Sequence, residues 1–372
     1  MKIATVVGAR PQFVKAAVVS RELQKFKRTC KSDVDAPKEI IVHTGQHYDN
    51  QMSDIFFKEM QIPRPAYHLG LGGGTHGSMT GQMLVRIEEI FLMEKPDAVL
   101  VYGDTNSTLA GALAAIKLHI PVAHIEAGLR SFNMQMPEEI NRILTDRISR
   151  WLFCPTEIAV QNLKREGAGK WPGAQIYNVG DVMYDAVLFY RERATPGSLL
   201  NNLLAQYKDG FYLATVHRQE NTDNIQRLKN IITALEDIAT RVPVILPLHP
   251  RTRKYLLKTG LELRRVIAIE PIGYLDMICL LHNCKAVFTD SGGVQKEAYF
   301  FQKPCITLRD ETEWVELVEH GYNRLVGADK AKIISAEQEF IHRDRDFTTP
   351  LYGDGHAGKK IIDILLNSRG EK

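Results

Sequence analysis

The chain has 372 residues, enough for two domains with a hydrophobic core each. Apolar residues make up 44% of it and charged residues 24%, which is typical of a globular protein. The formal net charge is +3, and Lys and Arg are spread along the whole chain. A nucleic-acid-binding protein would gather them in a block or stripe, so the composition argues against that class.

The chain opens on a predicted strand, and its first residues lack the apolar core and cleavage site of a signal peptide. No uncharged apolar run reaches the roughly 18 residues of a membrane-spanning helix. The five cysteines include no CxxC pair and are typical of buried, reduced thiols. We therefore expect a cytoplasmic protein that binds no membrane.

Strand and helix patterns alternate through the first half of the chain. Apolar, β-branched runs stand at KIATVV, EIIVHTG, DAVLVYGD, PVAHIEAG, RWLFCPT and QIYNVGD, and each precedes a turn and a helical stretch. Such alternation predicts a parallel sheet covered by helices on both faces.

Residues 182 to about 208 are predicted to be helical without a strand, and a second alternating series follows. Its strands are FYLATVH, VPVILPLHP, VIAIEPI, AVFTD, PCITLRD and NRLVGA. The predicted fold class is therefore α/β, with two Rossmann-like doubly wound domains over 1–182 and 183–355 and a ligand cleft between them. The amphipathic tail at 356–370 is long enough to cross back to the first domain.

The stretch FTDSGGVQKEA ends a predicted strand and opens a predicted helix. A helix N-terminus offers free N–H groups to phosphate, the glycines Gly292 and Gly293 permit close approach, and Ser291 adds a hydroxyl. Glu297 lies roughly 7 Å further along the helix, at about the distance from a diphosphate to its ribose. The alternative is an ordinary Ser-Gly cap followed by a surface glutamate.

The loop VVGARPQFVKAA leaves the first strand and enters a helix at Pro11. It places Arg10 beside a second helix N-terminus and Lys15 one turn deeper, and both are candidate partners of a diphosphate. The loop is not GxGxxG, so it gives weak support for a dinucleotide site.

Three acids stand at neighbouring strand ends or helix starts of the first domain: Asp104, Glu126 and Glu138. Converging carboxyls raise one another's pKa and so become proton donors and acceptors near neutral pH. The alternative is helix capping, which accounts for one or two of them more easily than for all three.

Basic side chains follow three strands of the second series: His217, Arg218, His249, Arg251, Arg253 and Arg309. A histidine at such a strand end can protonate or neutralise a leaving phosphate. A nucleotide sugar fits this polarity, with its diphosphate toward the basic residues and its sugar toward the carboxylates.

Other chemistries have little support in the sequence. His43 and His47 straddle a strand end and a glycine turn rather than one helix face, so they predict no metal site. The sequence contains no P-loop, no GxSxG motif, and no cysteine with an evident catalytic partner.

Seven motifs resemble one known family in the same order and across nearly the whole chain. They are GARPQFVK, GDTNSTLAG, HIEAGLRS, PEEINR, ATVHRQEN, DSGGVQKEA and LRDETEW. Together they resemble the non-hydrolysing UDP-N-acetylglucosamine 2-epimerases. The resemblance implies a glycosyltransferase-B-like arrangement of two Rossmann-like domains, a UDP-sugar substrate, a homodimer, and no nicotinamide cofactor or metal.

The resemblance also implies a mechanism. UDP is eliminated from C1 and C2 to leave a 2-acetamidoglucal, and it is added back after C2 is reprotonated on the opposite face. By motif, Asp104, Glu126 and Glu138 are then the proton-handling acids, and His217 assists the departure of UDP. The implied substrate-binding residues are Arg10, Lys15, Arg142, Arg218, Ser291, Gly292, Gly293, Glu297 and Arg309.

Two motifs depart from the commonest family pattern. The usual G-T-R-P-E has Ala9 and Gln12 here, and Asp49 stands where a regulatory UDP-sugar site usually has glutamine. With GGTHGSMTG and TEWVELV, these variants look most like a branch acting on UDP-2,3-diacetamido-2,3-dideoxyglucuronate, for bacterial surface polysaccharides such as lipopolysaccharide O-antigen. Plain UDP-N-acetylglucosamine is the alternative substrate.

Three other functions stay open on the residues alone. A glycosyltransferase of the same architecture would share the diphosphate site but usually needs one base and an acceptor groove. A hydrolysing 2-epimerase would release UDP and free sugar. A sugar-nucleotide sensor would have no reason to gather carboxylates opposite the leaving group.

Overall fold

The structure is a computed structural model that describes residues 1–30, 32, 36–46, 57 and 61–368, with the backbone alone for Arg10. The chain divides into two compact units. Unit 1 comprises Met1–Ala186 and Pro350–Lys372, and unit 2 comprises Val187–Thr349. No helix in the described part of the chain is long and apolar enough to span a membrane.

Unit 1 is built on a seven-stranded parallel sheet of order β3-β2-β1-β4-β5-β6-β7. The strand order reverses between β1 and β4, and ligands of such sheets bind outside the carboxyl ends of strands at this point. The strands are β1 Lys2–Val7, β2 Lys38–His43, β3 Tyr67–His68, β4 Ala98–Tyr102, β5 Val122–Ile125, β6 Trp151–Cys154 and β7 Gln175–Asn178.

The helices of unit 1 cover this sheet. They are α1 Arg10–Thr29, α2 His76–Glu94, α3 Asn106–Lys117, α4 Pro137–Ile148, α5 Glu157–Arg165, a 3₁₀ turn at Ala168–Lys170, and α6 Val182–Arg191, which runs on into unit 2. Small residues let α3 approach the sheet, since a Cβ at Gly111 would lie 3.1 Å from Val6 Cγ2. Helix α3 therefore holds the loop after β4 firmly against β1.

Unit 2 contains a six-stranded parallel sheet of order β10-β9-β8-β11-β12-β13. Its strands are β8 Tyr212–Thr215, β9 Val244–Pro247, β10 Ile267–Ile269, β11 Ala286–Thr289, β12 Cys305–Thr307 and β13 Asn323–Leu325. The order reverses between β8 and β11, where Thr215 pairs with Thr289 at the carboxyl ends. The switch point therefore lies beside the loop that begins at Asp290.

The helices of unit 2 are α7 Ser198–Gln206, α8 Gln219–Thr222, α9 Ile225–Ile238, α10 Pro250–Thr259, α11 Tyr274–Asn283, α12 Gly292–Phe300, α13 Val315–Glu319 and α14 Lys330–Glu339. Helices α9 and α14 bury their apolar faces against one side of the sheet, through residues such as Leu235 and Ile333. Each unit thus has the doubly wound α/β architecture that the alternating patterns predicted.

The last helix, α15 Ala357–Asn367, belongs to unit 1 and packs on α1. The helices approach closely, since a Cβ at Gly358 would lie 2.6 Å from Val18 Cγ1. Asp185 on α6 accepts hydrogen bonds from the Ala357 and Gly358 N–H groups at 3.1 and 2.9 Å. The carboxylate of Asp185 therefore caps the terminal helix.

Candidate functional site

The first cluster joins two predicted site residues of unit 1. Lys15 on α1 forms an ion pair with Glu126, which directly follows β5, and each side chain is less than 10% exposed. Glu126 has a φ of +74°, in the left-handed region that non-glycine residues rarely adopt. Its N–H donates to Phe153 O at 3.0 Å. Strained residues of this kind concentrate at functional sites.

The second cluster centres on Arg142 of α4. Its Nη2 donates to Asp104 Oδ2 at 2.6 Å, and its Nη1 donates to Glu139 Oε2 at 2.9 Å. Asp104 does not cap α3, because Thr105 occupies the cap position and accepts from Thr108 N at 3.3 Å. Asp104 is therefore a partly exposed carboxylate held by a guanidinium.

The two glutamates that begin α4 have different surroundings. Glu139 is fully buried and accepts from Ser131 N at 3.0 Å and Phe132 N at 2.9 Å, so it holds the preceding loop. Glu138 lies in the first turn and is exposed, which also suits the helix dipole. Of this pair, Glu138 is the one that a ligand can reach.

The loop after β1 leaves little room around Gly8. A Cβ there would overlap the hydroxyl oxygens of Thr44 and Ser107, which are hydrogen bonded to each other at 2.8 Å. The side chain of Arg10 lies outside the part of the chain that the structure describes. The glycine thus allows the loops after β1, β2 and β4 to meet at the carboxyl edge.

In unit 2, Asp290 organises the loop after β8. The fully buried carboxylate accepts from His217 N at 3.0 and 3.1 Å, from Arg218 N at 3.0 Å and from Asn221 Nδ2 at 3.1 Å. His217 Nδ1 lies 3.3 Å from Asp290 Oδ1, and the His217 side chain is 38% exposed. Asp290 thus orients the His217 imidazole, and the exposed part of the ring is accessible to a ligand.

The turn from β11 into α12 places its glycines differently. Ser291 is the N-cap, and its Oγ accepts from Val294 N at 3.4 Å. A Cβ at Gly292 would overlap Glu313 Oε1, whereas a Cβ at Gly293 would meet only Ser291 Oγ, at 4.0 Å. Glu297 is buried one turn further along the helix. Ser291 thus performs the capping role that the sequence left open.

Arg309 and Glu313 form a buried pair beside this helix N-terminus. Arg309 is 1% exposed, and its Nη1 donates to Glu313 Oε2 at 2.8 Å. Burial alone would raise the pKa of Glu313, but the charges of Arg309 and Arg218 outweigh it and lower that pKa. The helix terminus therefore lies in a positive environment that already favours an anion.

The remaining basic candidates are engaged elsewhere in unit 2. Arg251 pairs with Asp223 at 2.7 Å, and Arg253 with Glu270 at 2.6 Å. The ring of His249 lies 5.4 Å from that of His217. Arg251 Nε also donates to Thr222 Oγ1 at 2.8 Å, so this arginine holds the segment that follows His217 and Arg218.

Two residues considered for a metal or regulatory site, His47 and Asp49, lie outside the part of the chain that the structure describes. His43 is buried and stacks on His68, with ring centroids 4.4 Å apart. Among the described residues, no group of three side chains is arranged to hold a metal ion.

Sequence reasoning missed several residues that build the site: Glu139, His124, Asp146, Asp290 and Glu313. Each is a polar side chain, buried or, for Glu313, 10% exposed, that holds a candidate residue or its loop. The available signal was their adjacency to the motifs, since Asp290 precedes Ser291 and His124 stands two positions before Glu126. Their burial, which distinguishes them from surface residues, can be seen only in the folded structure.

The chain is similar to known proteins over nearly its whole length. Residues 30–366 match the family model described as UDP-N-acetylglucosamine 2-epimerase. A Pseudomonas aeruginosa protein, UDP-2,3-diacetamido-2,3-dideoxy-D-glucuronate 2-epimerase, is 56% identical over 98% of this chain and 99% of its own. A UDP-N-acetylglucosamine 2-epimerase of Methanocaldococcus jannaschii is 44% identical over 98% of this chain and 99% of its own.

Solved structures are similar over the full length as well. The crystal structure of the Methanocaldococcus jannaschii UDP-GlcNAc 2-epimerase in complex with UDP-GlcNAc and UDP has a TM-score of 0.89 and 44% identity. The match covers 99% of this chain and 100% of that one.

Proposed function

Because the chain belongs to the UDP-N-acetylglucosamine 2-epimerase family and is thus an isomerase acting at C2 of a UDP-sugar, we propose that its substrate is UDP-2,3-diacetamido-2,3-dideoxy-D-glucuronate. The higher identity to the Pseudomonas aeruginosa enzyme, 56% against 44% to the archaeal one, carries this choice. UDP-N-acetylglucosamine is the second candidate, favoured by the TM-score of 0.89 to the enzyme bound to it.

The proposed reaction is an elimination followed by a re-addition. A carboxylate removes the proton from C2 while the C1–O bond to UDP breaks, which leaves a C1=C2 double bond in the sugar. A carboxyl group then returns a proton to C2 on the opposite face, and UDP re-forms the bond at C1. The sum is an inversion at C2 with no net oxidation.

The acids of unit 1 are proposed to carry the proton. Glu126 is paired with Lys15 and Asp104 with Arg142, and the carboxylate form of either acid is the one that can accept a proton. Glu138 is exposed on the same helix as Arg142. The observation that supports proton chemistry is that two of these acids, Asp104 and Glu126, follow the neighbouring strands β4 and β5 and are each paired with a cation.

The residues of unit 2 are proposed to bind UDP and assist its departure. The positive terminus of α12, with Ser291, Arg309 and Arg218 near it, suits a diphosphate, and Glu297 suits the ribose hydroxyls. His217, oriented by Asp290, is proposed to stabilise the leaving phosphate. In unit 1, Arg10 is proposed to bind substrate phosphate.

The test is proton NMR in D₂O with each UDP-sugar in a separate tube. A C2-epimeric product with deuterium at C2 and UDP still attached supports the proposal, and the tube that turns over identifies the substrate. Release of UDP and free sugar indicates a hydrolysing enzyme. No exchange at C2 in either tube refutes the epimerase mechanism and directs attention to a transferase or a sensor.

The acids are tested by Asp104→Asn and Glu126→Gln. Each variant should lose about 100-fold or more of the C2 exchange rate, while UDP binding, measured by calorimetry, changes little. Glu89→Gln is the control, because Glu89 is an exposed residue on α2 that pairs with Arg86. Full activity in both acid variants would contradict the assigned roles.

We also propose that the enzyme is a cytoplasmic homodimer that supplies a precursor of a bacterial surface polysaccharide. The family resemblance supports the dimer, and four buried thiols suit a reducing compartment. Sedimentation equilibrium at micromolar concentration should give twice the mass of the chain. The mass of a single chain under those conditions would contradict the dimer.

A further inference from the structure

A buried histidine connects the acid-bearing segments of unit 1. We propose that His124 is a positioning residue for proton transfer: together with Asp146 it braces the two loops and the helix that carry Asp104, Glu126 and Glu138. The inference rests on the proposed function, since it concerns the geometry of those three acids.

The hydrogen bonds of His124 define its protonation. The side chain is fully buried on β5, with Nε2 2.7 Å from Gly103 O and Nδ1 2.6 Å from Asp146 Oδ1. A carbonyl oxygen and a carboxylate can only accept, so both ring nitrogens must donate. His124 is therefore an imidazolium paired with the Asp146 carboxylate.

The first contact fixes the loop that carries Asp104. Gly103 directly precedes Asp104, its carbonyl accepts from His124, and its N–H donates to Ile125 O at 2.9 Å. A Cβ at Gly103 would lie 3.1 Å from Lys15 Nζ and 3.3 Å from Glu126 Oε2. The peptide that His124 holds is thus in contact with the Lys15–Glu126 ion pair.

The second contact fixes the segment after Glu126 and the helix that bears Glu138. Asp146 Oδ2 accepts from Gly128 N at 3.1 Å and from Arg130 Nη1 at 2.7 Å. Asp146 lies on α4, which begins at Pro137 and carries Arg142, the partner of Asp104. A single buried pair therefore reaches all three acid-bearing segments.

The charges of the network formed by His124, Asp146, Arg130 and Glu166 are balanced. Arg130 binds Glu166 as well as Asp146, so two cations face two anions. Burial alone would raise the pKa of Asp146, but His124 and Arg130 outweigh it and lower that pKa. The pair thus persists as ions in the interior, where partly satisfied networks are costly.

The brace matters because proton transfer depends on distance. A displacement of about 1 Å in a catalytic group can cost about 100-fold in rate. The proposed UDP contacts come from other residues, largely in unit 2, and do not involve His124. Loss of the brace should therefore lower kcat and leave KM and the Kd for UDP nearly unchanged.

Two variants separate the two hydrogen bonds. In His124→Asn the amide nitrogen takes the place of Nδ1 and keeps the bond to Asp146, but Gly103 O loses its donor. In His124→Gln the amide nitrogen takes the place of Nε2 and keeps the bond to Gly103 O, but loses the bond to Asp146. Both remove the buried charge, so urea unfolding should show similar losses of stability.

The kinetic experiment measures kcat and KM by NMR on the full-length chain, with UDP affinity by calorimetry. His124→Asn should lose about 100-fold in kcat with KM and Kd within about threefold. His124→Gln should retain most of kcat, because Gly128 N and Arg130 Nη1 still hold Asp146 when its bond to residue 124 is lost. Equal kcat in the two variants, or wild-type kcat in His124→Asn, overturns the proposal.

A second measurement uses the wild-type protein, so it does not depend on whether the variants fold. In protein labelled with ¹⁵N at histidine, the His124 ring should show two protonated nitrogens near neutral pH. A single ring N–H means that one of the two bonds is absent, which overturns the proposal. If the wild-type protein shows no C2 exchange, the proposed function is refuted instead. The protonation of the two ring nitrogens then still shows whether His124 bonds to both Gly103 O and Asp146.

Discussion

Gln12 shows how one side chain can organise the loop after β1. It is 1% exposed, and its amide oxygen accepts from Gly8 N at 2.8 Å and from Ala9 N at 2.9 Å. Its amide nitrogen donates to Tyr102 O and Thr108 Oγ1, each at 2.9 Å. Because both donors and acceptors are needed, an amide suits this position where the related motif has a carboxylate.

The change Gln12→Leu tests this arrangement. It keeps the volume but leaves buried polar groups without partners, and each such group costs about 1–3 kcal/mol. We expect the free energy of unfolding to fall by about 2–4 kcal/mol in urea titrations. The control is Gln82→Leu, an exposed residue of α2, which should change it by less than about 0.5 kcal/mol.

At the residue scale, the sequence predicted candidate site residues but not the side chains with which they form ion pairs. Lys15 and Glu126 were assigned separately, to a diphosphate and to proton transfer, because nothing in a motif shows that α1 turns Lys15 toward β5. The same limit applies to Asp104 and Arg142. Pairing depends on helix rotation and loop paths, which follow from packing rather than from local pattern.

Helix α12 offers a matched pair of glycines for an experiment on its N-terminus. Gly292→Ala should destabilise the unliganded protein by about 1–3 kcal/mol, because the new methyl group overlaps the Glu313 carboxylate. Gly293→Ala should be neutral or slightly stabilising, since its methyl group enters open space on a helix. Urea unfolding without ligand measures both.

The same variants test where the diphosphate binds. If it lies on the terminus of α12, a methyl group at Gly293 occupies space that the phosphate needs, so UDP affinity should fall at least about tenfold. Calorimetry with UDP alone measures this. Wild-type affinity in Gly293→Ala, despite a normal fold, would show that the diphosphate lies elsewhere.

Asp185 makes the attachment of α15 depend on pH. Burial raises its pKa from 3.8 to about 6, although the Gly358 and Ala357 N–H groups act in the opposite direction. Between these values the folded state binds more protons than the unfolded state. The free energy of unfolding contributed by this group therefore falls as pH rises from about 4 to about 6, by about 3 kcal/mol.

Asp185→Asn removes this titration. The stability profile of the variant from pH 4 to 7 should lack the decline of about 3 kcal/mol, so its stability relative to that of the wild-type protein should rise over this range. Urea titrations at several pH values measure the profile. Asp363→Asn, at an exposed position of α15, should keep the wild-type profile. A parallel profile for Asp185→Asn would contradict the raised pKa.

At the element scale, every strand predicted from an apolar run is present in the structure. Strand β3, in contrast, was not predicted. It has only two residues, Tyr67 and His68, which pair with β2, and it is too short for a periodic pattern. The apolar composition of a long buried strand is enough to predict it. A short edge strand depends on its neighbour, so only the folded sheet reveals it.

The terminal helix completes the core of unit 1, which predicts a strong effect of truncation. A chain ending at Thr349 loses the buried side chains Ile361, Ile362 and Leu365. At about 2 kcal/mol each, their burial contributes about 6 kcal/mol, comparable to the whole stability of a domain. Hydrogen exchange should show unit 1 unprotected and unit 2 still protected.

The control for truncation is a chain that ends at Ser368 and so keeps all of α15. Its exchange pattern should match that of the full-length protein. Native protection throughout unit 1 in the chain ending at Thr349 would mean that α15 is dispensable for that fold.

For the whole molecule, the restart of the strand-helix alternation predicted a second sheet, and the amphipathic tail indicated a helix that needs an apolar partner. The structure has two sheets, and the helix packs on α1 through its apolar face. The strand order within each sheet was not predictable, because the apolar runs of β1, β4 and β5 do not show which of these strands are neighbours. Long-range pairing decides that order.

The discontinuous unit 1 has a consequence during protein synthesis. The ribosome releases the chain in order, and domains tend to fold as units when their residues have emerged. Unit 2 has all its residues by Thr349, whereas unit 1 lacks α15 until residues 357–367 have been made. The unit that is begun first is therefore completed last, and the face of α1 that receives α15 stays uncovered on the nascent chain until α15 has emerged.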